Sequence, residues 1–276
     1  MTIEQWLKTS AKKLETTGVG TANLDVLVLL EDELGKDRSW LLAHPDYQIK
    51  RQSLETLQRQ IKRRVKHEPL SYIRGKTEFY GRGFLIDKRV LEPRPESETM
   101  IELLLELAKS QKLKTKNLVV ADVGTGSGAL AITASLELKG TQVVATDIDP
   151  KCLEIARHNA TNHKTDIKFY EGDLLHPLSA IGCWPTVILA NLPYVPARHQ
   201  INRAARHEPD VAIFGGGDGL ALYRKLFLQL SFSHAKPRYV LIESLPFQHA
   251  GLQLIAKSAG FKLHRHQDLI QVFSSE

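Results

Sequence analysis

Apolar residues return at helical spacing through the first quarter of the chain. Ile3, Trp6, Leu7, Ala11 and Leu14 share one face of a helix that Gly18 stops, because glycine takes the conformation of a C-terminal cap without strain. A second helix is expected over 24–34, ended by Gly35. Asp37 is placed to cap a short third one through Trp40 and Leu42 that closes near Pro45. A fourth carries Leu54, Leu57, Ile61 and Val65, and opposite that stripe stand Arg59, Lys62, Arg63, Arg64 and Lys66. A basic face of this kind suits nucleic acid, but a charged stripe opposite an apolar one is what any surface helix needs, and that is the favoured reading.

The pattern changes near Gly75. Phe79, Tyr80, Phe84 and Ile86 surround Gly81, Arg82 and Gly83, which predicts a β-hairpin between two halves of different character. Beyond Pro95, helical patterns over 100–108, 129–138, 151–159, 220–230 and 252–258 alternate with short apolar runs. Those runs, expected as strands, cover 118–123, 142–146, 167–170, 186–189 and 239–243. The alternation predicts an α/β, doubly wound sheet. The expected division is 1–74 as a helical domain, 75–92 as a hairpin linker and 93–276 as the α/β domain.

Charge and cysteine content narrow this only slightly. Lys and Arg total 37 against 31 Asp and Glu, and the net charge of +6 suits an acidic partner such as RNA as well as an ordinary, mildly basic surface. Cys152 and Cys183 have no spacing suited to zinc or to a redox pair; both are expected as small core residues in a reducing compartment. The absence of a leader pattern and of any long apolar run points to a cytoplasmic protein with no membrane partner.

The candidate chemistry lies at the ends of the expected strands. The first runs into A-D-V-G-T-G-S-G-A-L, placing Gly124, Thr125, Gly126, Ser127 and Gly128 in a turn that opens a helix. There backbone N–H groups can approach a ligand closely. The next strand ends at Asp147, where a carboxylate can accept from both hydroxyls of a ribose. Asp149 reads as the N-cap of the helix starting at Pro150. These features specify a ribose-bearing cofactor without saying which one, and the G-x-G-x-G spacing disfavours a nicotinamide dinucleotide. In the following G-D-L-L, Asp173 is placed to accept from an adenine amino group and Leu174 to cover the ring.

After the fourth strand comes N-L-P-Y. With S-adenosylmethionine as cofactor, Asn191 Oδ1 and the Leu192 carbonyl can each accept one N–H of a planar NH2 group and aim its nitrogen at the methyl. Pro193 stiffens the turn, and Tyr194 offers a flat wall and a π face. An amide nitrogen is a poor nucleophile because its lone pair is delocalised, so positioning has to carry much of the catalysis.

These pieces, together with G-K-D-R-S-W-L-L-A-H-P, E-P-L-S-Y-I-R-G, E-F-Y-G, P-R-P-E-S-E, D-I-D-P and the G-G-x-D-G-L run ending at Leu220, resemble the HemK-type (PrmC) family of peptide-chain release factor glutamine methyltransferases. The resemblance implies a class I S-adenosylmethionine-dependent methyltransferase fold and methylation of the Gly-Gly-Gln loop of class I release factors. It implies cofactor binding by Gly124, Thr125, Gly126, Ser127, Gly128, Asp147, Asp173, Leu174 and Asn191. The substrate glutamine is then held by Asn191, Leu192, Pro193 and Tyr194, with Asn191, Pro193 and Tyr194 as the catalytic set. The helical domain is expected to dock the release factor, and the chain to work as a monomer without binding DNA directly. Arg94 and Glu96 are read as shaping the mouth of the site or as forming a structural ion pair.

Several positions depart from the family pattern. Leu192 stands where the family has Pro, which adds a backbone N–H and is expected to loosen the loop. Glu92 stands at a usually apolar position, where a buried, unpaired carboxylate would be costly. Glu243-Ser244-Leu245 replaces Glu-Ile-Gly, and the Arg-rich ending is missing after Asp268. Asn-Leu-Pro-Tyr is also similar to the loop of ribosomal RNA adenine dimethyltransferases. Two alternatives therefore stand beside the first reading: an RNA adenine methyltransferase, and a non-catalytic member of the family.

Overall fold

The computed structural model describes residues 1–110 and 118–275. These fall into two compact units, 1–76 with 201–207, and 77–200 with 208–275.

The smaller unit is helical: α1 (Ile3–Glu15), α2 (Ala22–Leu34), α3 (Arg38–Ala43), α4 (Arg51–Arg64) and α5 (Leu70–Arg74). Local chemistry sets its helix ends. Thr2 and Gln5 form a reciprocal capping box on α1, Asp37 accepts from Trp40 N at 2.8 Å, and Gly35 closes α2 in the left-handed conformation. Gly18 sits beyond the cap of α1, which is Thr16, and its N–H donates to Glu15 O. The expected apolar stripes meet in one core of Ile3, Trp6, Leu14, Leu29, Leu57 and Ile61. The basic face of α4 is partly neutralised within this unit: Arg63 pairs with Glu68 at 2.5 Å, and Arg64 reaches the buried Asp25 at 2.6 Å.

The hairpin β1 (Lys76–Phe79) and β2 (Arg82–Leu85) opens the larger unit, only Lys76 falling with the smaller one. Its turn is Tyr80-Gly81, one position earlier than the glycine pattern predicts. Both residues have positive φ, 52° and 67°, which is the conformation a tight two-residue hairpin needs. There follow α6 (Glu98–Ser110), β3 (Val119–Val123), α7 (Ala129–Glu137), β4 (Gln142–Asp147), α8 (Pro150–Asn162), β5 (Ile167–Glu171), α9 (His176–Ala180), β6 (Val187–Ala190), α10 (Asp210–Ile213), α11 (Ala221–Ser231), β7 (Tyr239–Glu243), α12 (His249–Ser258), β8 (Phe261–Gln267) and β9 (Ile270–Ser275). Asp149 caps α8 by accepting from Lys151 N, as its position before Pro150 predicts.

One seven-stranded sheet runs in the order β5-β4-β3-β6-β7-β9-β8. The first five strands are parallel, and β9 is antiparallel to both neighbours. Side chains alternate between two covered faces: Val187, Leu189, Tyr239 and Leu241 enter one core, while Ile188, Ala190, Val240 and Ile242 enter the other. Burial on both faces explains the unbroken apolar runs of these strands. The chain leaves β3 toward β4 and β5 on one side and returns to β6 on the other. The strand order thus reverses between β3 and β6, the place where an open α/β sheet offers a crevice.

The closing antiparallel pair carries little pattern in the sequence. β9 is wholly buried from Ile270 to Phe273, whereas β8 is the sheet edge, interrupted by a bulge and bearing Lys262, His264, Arg265 and His266 on its exposed positions. Charges of this kind protect an edge from pairing with other chains, and they hide the strand from a hydrophobicity reading. Cys152 is buried, and Cys183 is half-buried, packed against the edge of the core.

Candidate active site

A cavity of about 180 Å³ opens at the C-terminal ends of β3, β4, β5 and β6. Its wall takes Gly124, Thr125, Gly126 and Ser127 from the turn after β3, Asp147 from the end of β4, Asp173 and Leu174 after β5, and Asn191, Leu192 and Pro193 after β6. Residues spread over some seventy positions thus meet because four parallel strands end side by side. Gly128 and Tyr194 lie off this wall. A Cβ at Gly128 would press on Ala156, so this glycine serves the packing of α7 against α8, while Tyr194 is turned into the protein.

The glycine turn is held from below. Asp122 is 1% exposed and accepts from Thr125 Oγ1 at 2.6 Å and from Ala131 N at 3.1 Å. Asn159, also 1% exposed, donates to the Ser127 and Leu85 carbonyls and accepts from Leu85 N, tying β2 to the turn. Asp147 Oδ2 accepts from Gly126 N at 2.9 Å and Oδ1 from Asp149 N at 3.0 Å. Each carboxylate oxygen keeps a second lone pair. Burial raises this carboxyl, against the pull of those backbone donors.

Asp173 lines the cavity, but its carboxylate is engaged by Lys225 at 2.5 Å, so only part of its accepting capacity remains for a ligand. Leu174 is buried with φ at +52°, a strained conformation for a branched side chain. Next to Asp147 the apolar Ile148 is 70% exposed on the cavity wall. An adenosine-type cofactor fits this set: ribose-accepting oxygens at Asp147, apolar cover from Ile148 and Leu174, and a turn whose glycines keep side chains out of the way.

Around Asn191 the donors and acceptors form one chain. Asn191 Nδ2 donates to Ser97 Oγ at 2.8 Å, Ser97 Oγ donates to Glu243 Oε2 at 2.6 Å, and the Tyr194 hydroxyl donates to Glu243 Oε1 at 2.8 Å. Burial pushes Glu243 above the usual glutamate range, with Ser97 and Tyr194 opposing it, and burial together with Glu243 pushes the Tyr194 phenol up. The Tyr223 hydroxyl gives its one proton to Glu243 O at 2.5 Å and lies 3.2 Å from the carbonyl of Leu192, a residue of the cavity wall.

Leu192 does not leave the loop loose. Its side chain is 3% exposed in the core, and a Cβ at Gly124 would come within 2.7 Å of its Cδ2. Packing holds the loop where the family pattern has a proline ring. The Gly215 to Gly219 run, part of the G-G-x-D-G-L motif, buttresses the same loop. Any Cβ at Gly215 would strike the Pro193 carbonyl, and one at Gly219 the Tyr194 carbonyl. Gln248, 3% exposed, donates to Tyr194 O and Asp218 O at 2.8 Å each.

Near the mouth, Arg94 donates to both oxygens of Glu208 at 2.7 Å, and Glu208 is almost fully buried. Glu208 carried no signal in the sequence. Its carboxyl is raised by burial, which Arg94 counters. Glu92 is neither fully buried nor unpaired: it accepts from Thr77 at 3.1 Å and lies 3.6 Å from Arg94. A second cavity, lined by Cys183, Trp184, Leu230 and Phe232, lies by Pro185 and Pro237, which precede β6 and β7; it holds none of the expected site residues apart from neighbours of Leu174.

Comparison with known proteins assigns the chain. Residues 5–75 match the PrmC N-terminal domain and residues 99–192 match the ribosomal protein L11 methyltransferase (PrmA) family. The release factor glutamine methyltransferase of Bacillus subtilis is 36% identical over 245 residues, covering 88% of this chain and 84% of that protein. That of Deinococcus radiodurans is 33% identical over 272 residues, covering 98% and 95%. The chain belongs to the release factor glutamine methyltransferase family.

The family's architecture is that of the class I methyltransferases, and the doubly wound sheet here is the same fold. The solved hMettl16 catalytic domain in complex with MAT2A 3'UTR hairpin 1 superposes with a TM-score of 0.56 over 91% of each chain at 15% identity, a likeness of fold alone. In this family member, as in the pattern expected from its sequence, the glycine turn, the acidic end of β4 and the Asn-Leu-Pro-Tyr loop share one sheet edge. No helix among the described residues is long and apolar enough to cross a membrane, and no cluster of three metal-ligating side chains occurs among them.

Proposed function

We propose that this chain transfers a methyl group from S-adenosylmethionine to the side-chain amide nitrogen of the glutamine in the Gly-Gly-Gln loop of class I release factors. The observation that carries this reading is the single cavity shared by Asp147, the glycine turn and Asn191. S-adenosylmethionine supplies an electrophilic methyl on a sulfonium that departs as a neutral thioether. Asp147 holds the ribose hydroxyls through its remaining lone pairs. Asp173 and Leu174 serve the adenine, the former in competition with Lys225. Thr125, Gly126 and Ser127 keep the wall low, and Gly128 lets α7 start close to it.

Asn191 Oδ1 accepts one N–H of the substrate amide, and the Leu192 carbonyl accepts the other, the Tyr223 proton being given to Glu243 O. Pro193 limits the turn. Tyr194, with its hydroxyl fixed on Glu243 and its ring packed against the core, keeps the loop in place from behind. Such alignment of reacting groups can lower a barrier by about 7–11 kcal/mol in favourable cases. The helical domain docks the release factor, and the chain acts as a cytoplasmic monomer with no direct contact to DNA.

The test is methyl transfer from labelled S-adenosylmethionine to the intact release factor, with a factor lacking the loop glutamine as control. Label is expected on the intact factor only. Asn191→Ala is expected to lose about 10²–10³ in turnover, the scale of losing one preorganised polar group, with its melting temperature retained. Label on ribosomal RNA in place of the factor would overturn the assignment.

A further inference from the structure

A carboxamide has nearly the same shape with its oxygen and nitrogen exchanged, so shape alone does not decide which end Asn191 turns to the cavity. Only its partners can decide. Asn191 Nδ2 meets Ser97 Oγ at 2.8 Å, and Ser97 Oγ meets Glu243 Oε2 at 2.6 Å. An ionised carboxylate only accepts, so the single proton of Ser97 points to Glu243 and Ser97 has only lone pairs left for Asn191. The amide must then offer Ser97 its N–H end. Ser97 is 2% and Glu243 1% exposed, which leaves no room for water to break the sequence of donors. The Tyr194 hydroxyl, donating to the second oxygen of Glu243, needs the same acceptor.

We propose that Glu243 and Ser97 are positioning residues that fix the polarity of Asn191, so that its Oδ1 faces the cavity and accepts an N–H of the substrate amide. The proposal rests on the reading of Asn191 as the acceptor for a glutamine side chain. A protonated Glu243 would donate to Ser97 Oγ, release the Ser97 proton toward Asn191 and allow the amide to turn over. Asn191 would then present N–H to N–H. The titratable or charged groups facing Glu243 are Tyr194 after β6, Tyr223 on α11 and Glu96 before α6, with Arg94 acting on Tyr194. Both phenols are raised and stay donors, and Glu96 adds to the rise that burial imposes on Glu243. The polarity is therefore lost from the acid side, at a pH above that of an exposed glutamate.

The full chain is assayed with the intact release factor as Ser97→Ala, Glu243→Gln, Asn191→Ala and the Ser97→Ala/Asn191→Ala double variant. Ser97→Ala and Glu243→Gln are expected to lower kcat about ten- to hundredfold, the scale of a misplaced group at the reacting centre, with cofactor affinity retained. In the Asn191→Ala background the Ser97→Ala loss should vanish, because both changes act through one side chain. The acid limb of the kcat profile should be present in the unmodified chain and absent in Glu243→Gln.

A second readout needs no turnover. In nitrogen-15 spectra, one side-chain amide proton of Asn191 should be protected from exchange in the unmodified chain and unprotected in Ser97→Ala/Glu243→Ala, since the Asn191 side chain also reaches Glu243. Losses that add fully in the Ser97→Ala/Asn191→Ala variant, or unprotected Asn191 protons in the unmodified chain, would overturn the proposal. No transfer to the release factor would instead remove the glutamine reading, and the amide spectrum would then decide the polarity alone.

Discussion

Asp122 ends almost sealed, two positions before the glycine turn, with Oδ2 satisfied twice and Oδ1 without a hydrogen-bond partner among the described residues. Burial, with Asp147 adding to it and Thr125 and Ala131 opposing, pushes its carboxyl from 3.8 to about 6. Below about pH 4 it is protonated in the folded and unfolded chain alike. Between there and about pH 6 only the unfolded chain has released the proton, so stability falls as pH rises through that window and is constant above it. A rise of about two pH units at about 1.4 kcal/mol each gives ~3 kcal/mol. Asp122→Asn is therefore expected to be more stable relative to the unmodified chain at pH 7 than at pH 4, by an amount of that order, in urea unfolding at the two pH values. An unchanged difference would show that the carboxyl is not raised. At this scale the sequence was informative where the partner is near: Asp37 and Asp149 cap helices two or three positions away. It was silent on Ser97, Glu208 and Glu243, whose side-chain partners are 49 to 146 positions distant and are chosen by packing.

Among the elements, the parallel strands and their helices were legible because burial on two faces writes continuous apolar runs, and amphipathic helices write a 3.6-residue period. The short α5, α9 and α10 escaped for lack of a full period, and β8 because an exposed edge strand is polar. The loop after β6 is set by an element far along the chain. Gly219 has φ at +81° and lies against the Tyr194 carbonyl. Gly219→Ala places a methyl on that backbone in a conformation that alanine avoids, and it is expected to cost about 1–3 kcal/mol. A lowered melting temperature together with reduced methyl transfer checks this, since the displaced backbone belongs to the residue beside Pro193. Gly217→Ala has open space and ordinary φ, so it should leave both properties unchanged.

For the whole molecule, the core of the helical unit and the cavity of the larger one share no residue. Arg64 joins α4 to α2 through the nearly buried Asp25 and also donates to the Glu68 carbonyl. Arg64→Ala leaves that carboxylate without its partner, at a cost of about 3–5 kcal/mol to the helical unit. Cofactor affinity, which depends on the larger unit, is expected to stay within experimental error. Calorimetric titration of S-adenosylmethionine beside a denaturant curve followed at the helix signal would separate the two, and a parallel loss of affinity would sink the claim.

The sequence by itself determined the succession of helices and strands, the glycine turn, the acidic end of β4 and the Asn-Leu-Pro-Tyr loop, because each is written in residues close together and in their periodicity. Only the tertiary structure decided that β9 runs antiparallel between β7 and β8, that 201–207 joins the helical unit, that Leu192 is gripped by packing, and that Ser97 and Glu243 stand behind Asn191. Those contacts depend on which distant segments share a face of one sheet, and the pairing of distant segments leaves no periodic trace along a single chain.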